Sequence, residues 1–216
     1  MAEARKGGQG FQGYKTGTKQ RDKTMKVTLK LTEEMLGTQP ANKDIHGEYI
    51  AANSADAEKF AEEQAALPAE ELVAKGMTVF YRDETGAPAM MDYHIKGFFK
   101  DACGMLSRVK STKSSGLKAY KKIIDGLIFV SPRIIPIDMH GGKMGECQRP
   151  LRAQTAQGER VSIAHSETVP VGSTLTFEVT CMDDAHESAV KEWLEYGKLR
   201  GLGQWRNSGK GRVVVV

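Results

Sequence analysis

Two stretches of this chain alternate strictly between apolar and polar residues. In MKVTLKL (25–31), Met25, Val27, Leu29 and Leu31 are separated by Lys26, Thr28 and Lys30. In TLTFEVTC (174–181), Leu175, Phe177, Val179 and Cys181 face one way, and Thr174, Thr176, Glu178 and Thr180 the other. Successive strand side chains point to opposite faces, so each stretch reads as a strand with one buried side.

Two longer segments carry the helical spacing. HIKGFFKDACGMLSRVK (94–110) places Phe98, Phe99, Ala102, Met105 and Leu106 on one face, with Lys96, Lys100 and Arg108 off it. HESAVKEWLEYGKLR (186–200) does the same with Val190, Trp193, Leu194 and Gly197. Further strands are predicted at TVFYRD (78–83), LIFV (127–130), RIIPI (133–137) and the closing GRVVVV. Residues 160–165 are expected to form a hairpin with 174–181 across the turn VPVGS. The stretches 110–122 and 138–150 read as a polar basic loop and a glycine-rich irregular segment. The order of strand, helix, strands, hairpin, helix, loop, strand is that of an α+β chain with a ferredoxin-like βαββαβ core, elaborated by extra hairpins and an inserted helical element.

Two regions stand outside that core. Residues 1–24 hold six cations against two acids, with only Phe11 and Tyr14 as large apolar groups, and read as a flexible basic arm. The segment at about 40–76 contains the acidic helical stretch DAEKFAEEQAALPAEELVAKG and reads as an insertion into the domain at 25–216. No apolar run reaches 18 residues, and the N-terminus lacks the apolar core of a signal peptide, so no membrane partner is expected. Cys103, Cys147 and Cys181 are odd in number and form no CxxC pair. That excludes a zinc ribbon and fits a reducing, cytoplasmic setting.

Net charge is only +4, but its distribution is uneven. Between His94 and Ile123 there are eight cations and one acid, and between Lys198 and Arg212 five cations and no acid. If these segments converge with the arm, they form a groove for a polyanion; if they do not, they are separate solvated surfaces. The stretch GLGQWRNSGKGR (201–212) bears on this choice. Its glycines allow backbone N–H groups near a phosphate, and Arg206, Lys210 and Arg212 carry the countercharge. Trp205 either stacks on a base or plugs the core. The candidate nucleic-acid-binding residues are Lys96, Lys100, Arg108, Lys110, Lys113, Arg200, Gln204, Trp205, Arg206, Lys210 and Arg212.

Three stretches in this order resemble the RAMP superfamily, the RRM-like, ferredoxin-fold proteins of CRISPR systems. FYRDETGAPAMMDYHIKGFFKDA (80–102) is similar to the family's passage from an RD-x-x-G-x-P turn into a helix start. Arg82, Asp83, Gly86, Pro88, Lys96, Gly97 and Lys100 fit, while His94 and Ile95 replace small hydroxyl residues and Lys100 replaces an arginine. SETVPVGSTLTFEV (166–179) resembles the family's E-x-V-P-x-G hairpin. Tyr196–Gly203, with Arg200 in place, is similar to its C-terminal glycine-rich loop. The resemblance implies single-stranded RNA, with DNA left open, held by the helix start and glycine loop. It also implies copies packing side by side within a ribonucleoprotein. Such a protein serves either a CRISPR effector or a mobile element or phage.

Catalytic candidates are few. The cutting aspartate of some RAMP backbone subunits has no counterpart, because no acid lies between Lys75 and Asp83. His94 is either the general base of a metal-independent endoribonuclease or a helix-start residue. His140 has Asp138, Glu146 and Cys147 nearby, but their spacing matches no standard metal site. No cofactor motif is present. The expected activity is therefore non-catalytic nucleic-acid binding. An endoribonuclease using His94 and a protein-interaction module acting on a CRISPR complex are the alternatives.

Overall fold

Leu175, Phe177, Val179 and Cys181 are all buried, so the face of the strand that carries them packs on the core, and both of its edges are paired. The computed structural model describes residues 23–41, 77–155 and 158–216. Most of the expected basic arm, and residues 42–76 of the expected insertion, lie outside the described residues.

The main sheet is antiparallel. β1 (Lys23–Leu31) lies between β12 (Val213–Val215) and β11 (Thr174–Cys181). The other edge of β11 is shared by β7 (Ile128–Ser131) and β8 (Ile134–Asp138), which follow one another around the cis Ser131–Pro132 bond. Beyond β8 come β6 (Pro88–Met91) and β5 (Tyr81–Arg82). α1 (Asp92–Leu106) and α3 (Glu187–Arg200) pack against each other, and α3 also packs on β12. Taken in chain order, β1, α1, β7 with β8, β11, α3 and β12 make the βαββαβ unit, with strand order 4-1-3-2. The expected α+β, ferredoxin-like class is the observed one.

The apolar faces of both helices close the core. Trp193, Phe99 and Phe177 are the largest fully buried side chains, and the Phe99 and Trp193 rings lie 5.5 Å apart. Trp193 Nε1 donates to Ser114 Oγ at 2.9 Å, and Ser114 in turn donates to Glu192 Oε2 at 2.6 Å. This buried relay fixes the segment after α1 to α3.

A second sheet holds β2 (Met35–Leu36), β3 (Gln39–Pro40), β4 (Thr78–Val79), β9 (Gly145–Thr155) and β10 (Gly158–Val169). Here the expected pairing of 160–165 with 174–181 fails. β10 pairs with β9 over its whole length, because β1 and the β7–β8 pair already occupy both edges of β11. The VPVGS turn instead carries the chain between sheets. It docks on the end of β1, where Leu31 N donates to Ser173 O and Gly172 N to Leu31 O.

Other differences are local. TVFYRD divides into β4 and β5, which join different sheets. The segment 138–150 becomes β9 from Gly145 onward. A helix, α2 (Tyr120–Leu127), begins inside the expected basic loop and buries Ile124. Met105 is 37% exposed, because Cys103 and Ile95 take the buried positions on α1.

Candidate nucleic-acid interface

The C-terminal loop is built by backbone-to-backbone packing. α3 ends at Gly201, which has φ +80° and donates to Gly197 O at 3.2 Å. Leu202 N donates to Gly211 O at 2.7 Å, and Gly211 N to Glu34 O at 2.8 Å. Gly211, at φ +70°, lies so close to Leu202 that an added Cβ would sit 1.9 Å from the Leu202 carbonyl oxygen. The glycines were expected to admit a phosphate. At Gly201 and Gly211 the space is filled by the loop's own backbone.

Between these closures the loop turns outward. Trp205 has φ +55° and is 40% exposed, followed by one 3-10 turn at Arg206–Ser208. Of its two expected positions, Trp205 takes the surface; the core tryptophan is Trp193.

Asp101, the one acid among eight cations in the 94–123 count, organises this end of the molecule. Its Oδ2 accepts from Arg200 Nε at 2.8 Å and from Arg206 Nη1 at 3.1 Å. Arg200 Nη1 also donates to Asn207 Oδ1 at 2.9 Å. The hydrogen bond from Arg200 to Asp101 holds the guanidinium above its ordinary range, against a smaller opposing effect of burial. Lys210 pairs with Glu34, which raises the lysine in the same way.

Beneath the loop lies Arg149 of β9, which sequence reasoning passed over. It is only 9% exposed. Its Nη2 donates to Gln204 Oε1 at 2.9 Å, and its guanidinium lies 5.2 Å from the Trp205 ring centroid. Its Nε and Nη1 are buried without a hydrogen-bond partner, as is Nε of Arg212.

Compared with solved structures, the chain is similar to a chain of the cryo-EM structure of the type III-B Cmr-beta bound to cognate target RNA. The TM-score is 0.50 at 8% identity, covering 89% of this chain and 58% of that one. This chain thus spans less than two thirds of that relative's length. The likeness is one of fold, the α+β, ferredoxin-like arrangement described above. Cmr6 from Pyrococcus furiosus, a crystal structure, matches at TM-score 0.47 and 12% identity, covering 90% of this chain and 98% of that one. No protein-family model matches the sequence, and no curated protein does.

The RAMP-like motifs have local physical roles here. Asp83 Oδ1 accepts from Thr85 N at 2.8 Å, Thr85 Oγ1 at 2.6 Å and Ala87 N at 2.9 Å. Gly86 takes φ +83°, so the RD-x-x-G-x-P residues close the β5–β6 hairpin. Arg82 pairs with Glu167 at 2.5 Å, tying that hairpin to β10.

The predicted cations do not form one cluster in this fold. Arg200, Gln204, Trp205, Arg206, Lys210 and Arg212 gather around the loop. Lys96 lies on the flank of α1 facing α2, where Nζ donates to Asp125 O at 3.1 Å and sits 5.2 Å from the Phe129 ring centroid. Lys100 pairs with Asp125 Oδ1 at 2.6 Å. Arg108, Lys110 and Lys113 are exposed and follow the C-terminal end of α1, which lies about 8 Å along the helix axis beyond Asp101. The lone acid within a basic count and the pairing of α1 with α3 decide this division.

His94 stands at the start of α1 as a cap. Its Nδ1 accepts from Met91 N at 3.2 Å, which leaves the proton on Nε2, 3.3 Å from Thr38 Oγ1. The lone pair that a general base needs is therefore engaged. Burial pushes the imidazole below its ordinary range, with a smaller opposing pull from Asp92. Because the folded-state value is depressed, His94 contributes stability above about pH 6.5 that is lost as pH falls through the folded value. Thermal melts of His94→Gln between pH 7.5 and 5.5 are expected to show a flatter pH dependence than the parent. Parallel curves would mean that the ring protonates freely in the fold. Among the described residues no group of three or more metal-ligating side chains is found, and His140 Nε2 lies 2.9 Å from Thr174 Oγ1.

Among the described residues, no helix is long and apolar enough to cross a membrane.

Proposed function

We propose that this chain is a RAMP-type subunit that binds single-stranded RNA at its glycine-loop end, as part of a ribonucleoprotein in which copies pack side by side, and that it does not cut the strand. The observation that carries this reading is the gathering of Arg149, Arg200 and Arg206 around an exposed, strained Trp205 at the junction of α1 and α3. Cations with an aromatic platform are what a single strand needs, one for phosphates and the other for bases. The likeness of fold supports the same reading, since the similar solved structure is that of the type III-B Cmr-beta bound to cognate target RNA. Lys96 and Lys100 extend the surface along α1. Arg108, Lys110 and Lys113 are reached by a strand long enough to run the length of that helix.

The test is binding of labelled RNA against salt. For a single strand, log K is expected to fall with log salt by about 0.7 per phosphate contact. With a two-nucleotide strand, Arg206→Ala or Arg212→Ala lowers affinity and flattens the slope, whereas Lys110→Ala does neither. With a twenty-nucleotide strand Lys110→Ala does both. Unchanged affinity in every variant would overturn the reading, as would a preference for duplex. Equal binding of DNA would remove RNA selectivity. Products ending in a 2′,3′-cyclic phosphate would replace binding with cleavage.

A further inference from the structure

Arg149 poses a problem that the free protein leaves unsolved. Buried charges are ordinarily paired, and buried polar groups ordinarily hydrogen-bonded. Yet among the described residues no carboxylate pairs with this guanidinium, and a single neutral acceptor, Gln204 Oε1, takes one of its five N–H bonds. The side chain comes from β9, opposite Ala164 of β10, so the second sheet presents it to the loop from below. Above it lies a recess of about 370 Å³ lined by Arg149, Arg200, Gln204, Trp205, Arg206 and Asn207, together with Gly203; among the described residues no acid lines it. Asp101 engages Arg200 and Arg206 but has no recorded bond to Arg149.

We infer that this recess is a single-nucleotide site, in which a phosphate takes the unpartnered donors of Arg149 and the base stacks on Trp205. The inference deepens the RNA-binding reading and rests on it for the identity of the strand. An anion is the partner that satisfies a guanidinium fork, through two parallel N–H bonds. The buried donors are covered by Gln204 and by the Trp205 ring. Entry of the phosphate therefore moves Trp205 off the guanidinium and frees its face for the base. Trp205 is already held in a backbone conformation that a bulky side chain rarely adopts, as is common where a group is poised for a ligand. A nucleotide is favoured over an acidic side chain of a protein partner because the recess offers a flat aromatic face as well as charge.

The experiment uses the full chain and the emission of its two tryptophans. Trp193 is fully buried, so acrylamide quenching reports Trp205. Pentaadenylate is expected to protect Trp205 from acrylamide, AMP to do so at higher concentration, and inorganic phosphate to do so weakly. Arg149→Gln should lower pentaadenylate affinity about tenfold or more. Its melting temperature without ligand should be unchanged or higher, because an unpaired buried charge has been removed. Arg149→Lys should fail to restore affinity, since an ammonium lacks the fork. If Arg149→Gln melts lower and binds normally, the residue is a packing element and the site is overturned. If wild-type protein binds RNA without protecting Trp205, the site fails while the RNA reading stands. If AMP protects Trp205 through Arg149 but no RNA strand binds, the site stands and the RNA reading falls. If polyglutamate protects Trp205 as well as pentaadenylate does, the occupant is a protein carboxylate and the nucleotide assignment is overturned. Should both Arg149 variants fail to fold, protection of Trp205 in the wild-type protein decides.

Discussion

Gly211→Ala is expected to destabilise the protein by about 3 kcal/mol, combining the cost of a strained backbone with that of an overpacked contact. The added methyl would meet the Leu202 carbonyl oxygen at 1.9 Å and the Leu202 carbon at 2.9 Å, and both are backbone atoms that cannot rotate away. The same two residues exchange the hydrogen bond that closes the loop, and Gly211 also donates to Glu34 ahead of β2. Relief of the clash therefore breaks the loop from α3, β2 and β12 together. In a chain of this size the loss corresponds to about 10 °C in melting temperature. Gly86→Ala separates the two causes, because Gly86 has φ +83° but nothing within 4 Å of its Cβ position. It should lose only the conformational part, about 1–2 kcal/mol. Equal melting of the two variants would show that the close approach to Leu202 does not hold in solution.

Asp101→Ala should cost about 2 kcal/mol, between the loss of a surface pair and the loss of one partner of a buried pair. The carboxylate lies between Arg200 and Arg206, and the three side chains are 20%, 25% and 30% exposed respectively. Without it, two guanidinia face each other with no countercharge, and only Arg200 keeps a hydrogen bond, to Asn207. The effect on RNA should have the opposite sign. Arg200 is released to join Arg206 on the phosphates, so affinity at low salt rises and its decline with salt steepens, by about 0.7 in slope for the one new contact. Urea denaturation and RNA titration on the same sample read both effects. Weaker binding together with lower stability would mean that Asp101 shapes the loop for RNA rather than restraining its cations.

The core elements were legible because their signals are local. β1 and β11 alternate with period two, and α1 and α3 repeat with a period near 3.6, so each buried face can be read without knowing its neighbours. α2 was hidden because it is only eight residues long, opens on two lysines at the end of a polar stretch, and runs directly into β7, so that Leu127 reads with the strand. β9 was hidden because in GECQRPLRAQT Arg149 breaks the alternation of Cys147, Leu151 and Ala153, Pro150 stands in mid-stretch, and the only β-branched residue is the terminal Thr155. The candidate interface was partly legible. The loop, its arginines and Trp205 stand out as composition, whereas Arg149 sits alone in a polar stretch with no pattern to mark it.

From the order of amino acids alone came the two one-faced strands, the two core helices and hence the α+β class, since burial periodicity is a property of neighbouring residues. Tertiary structure alone decided which strand flanks β11, that Asp101 meets Arg200 and Arg206, and that Arg149 lies beneath Trp205. Those facts depend on sheet register and helix packing between residues tens of positions apart. Coulomb and hydrogen-bond forces act over a few ångströms of space and take no account of separation along the chain.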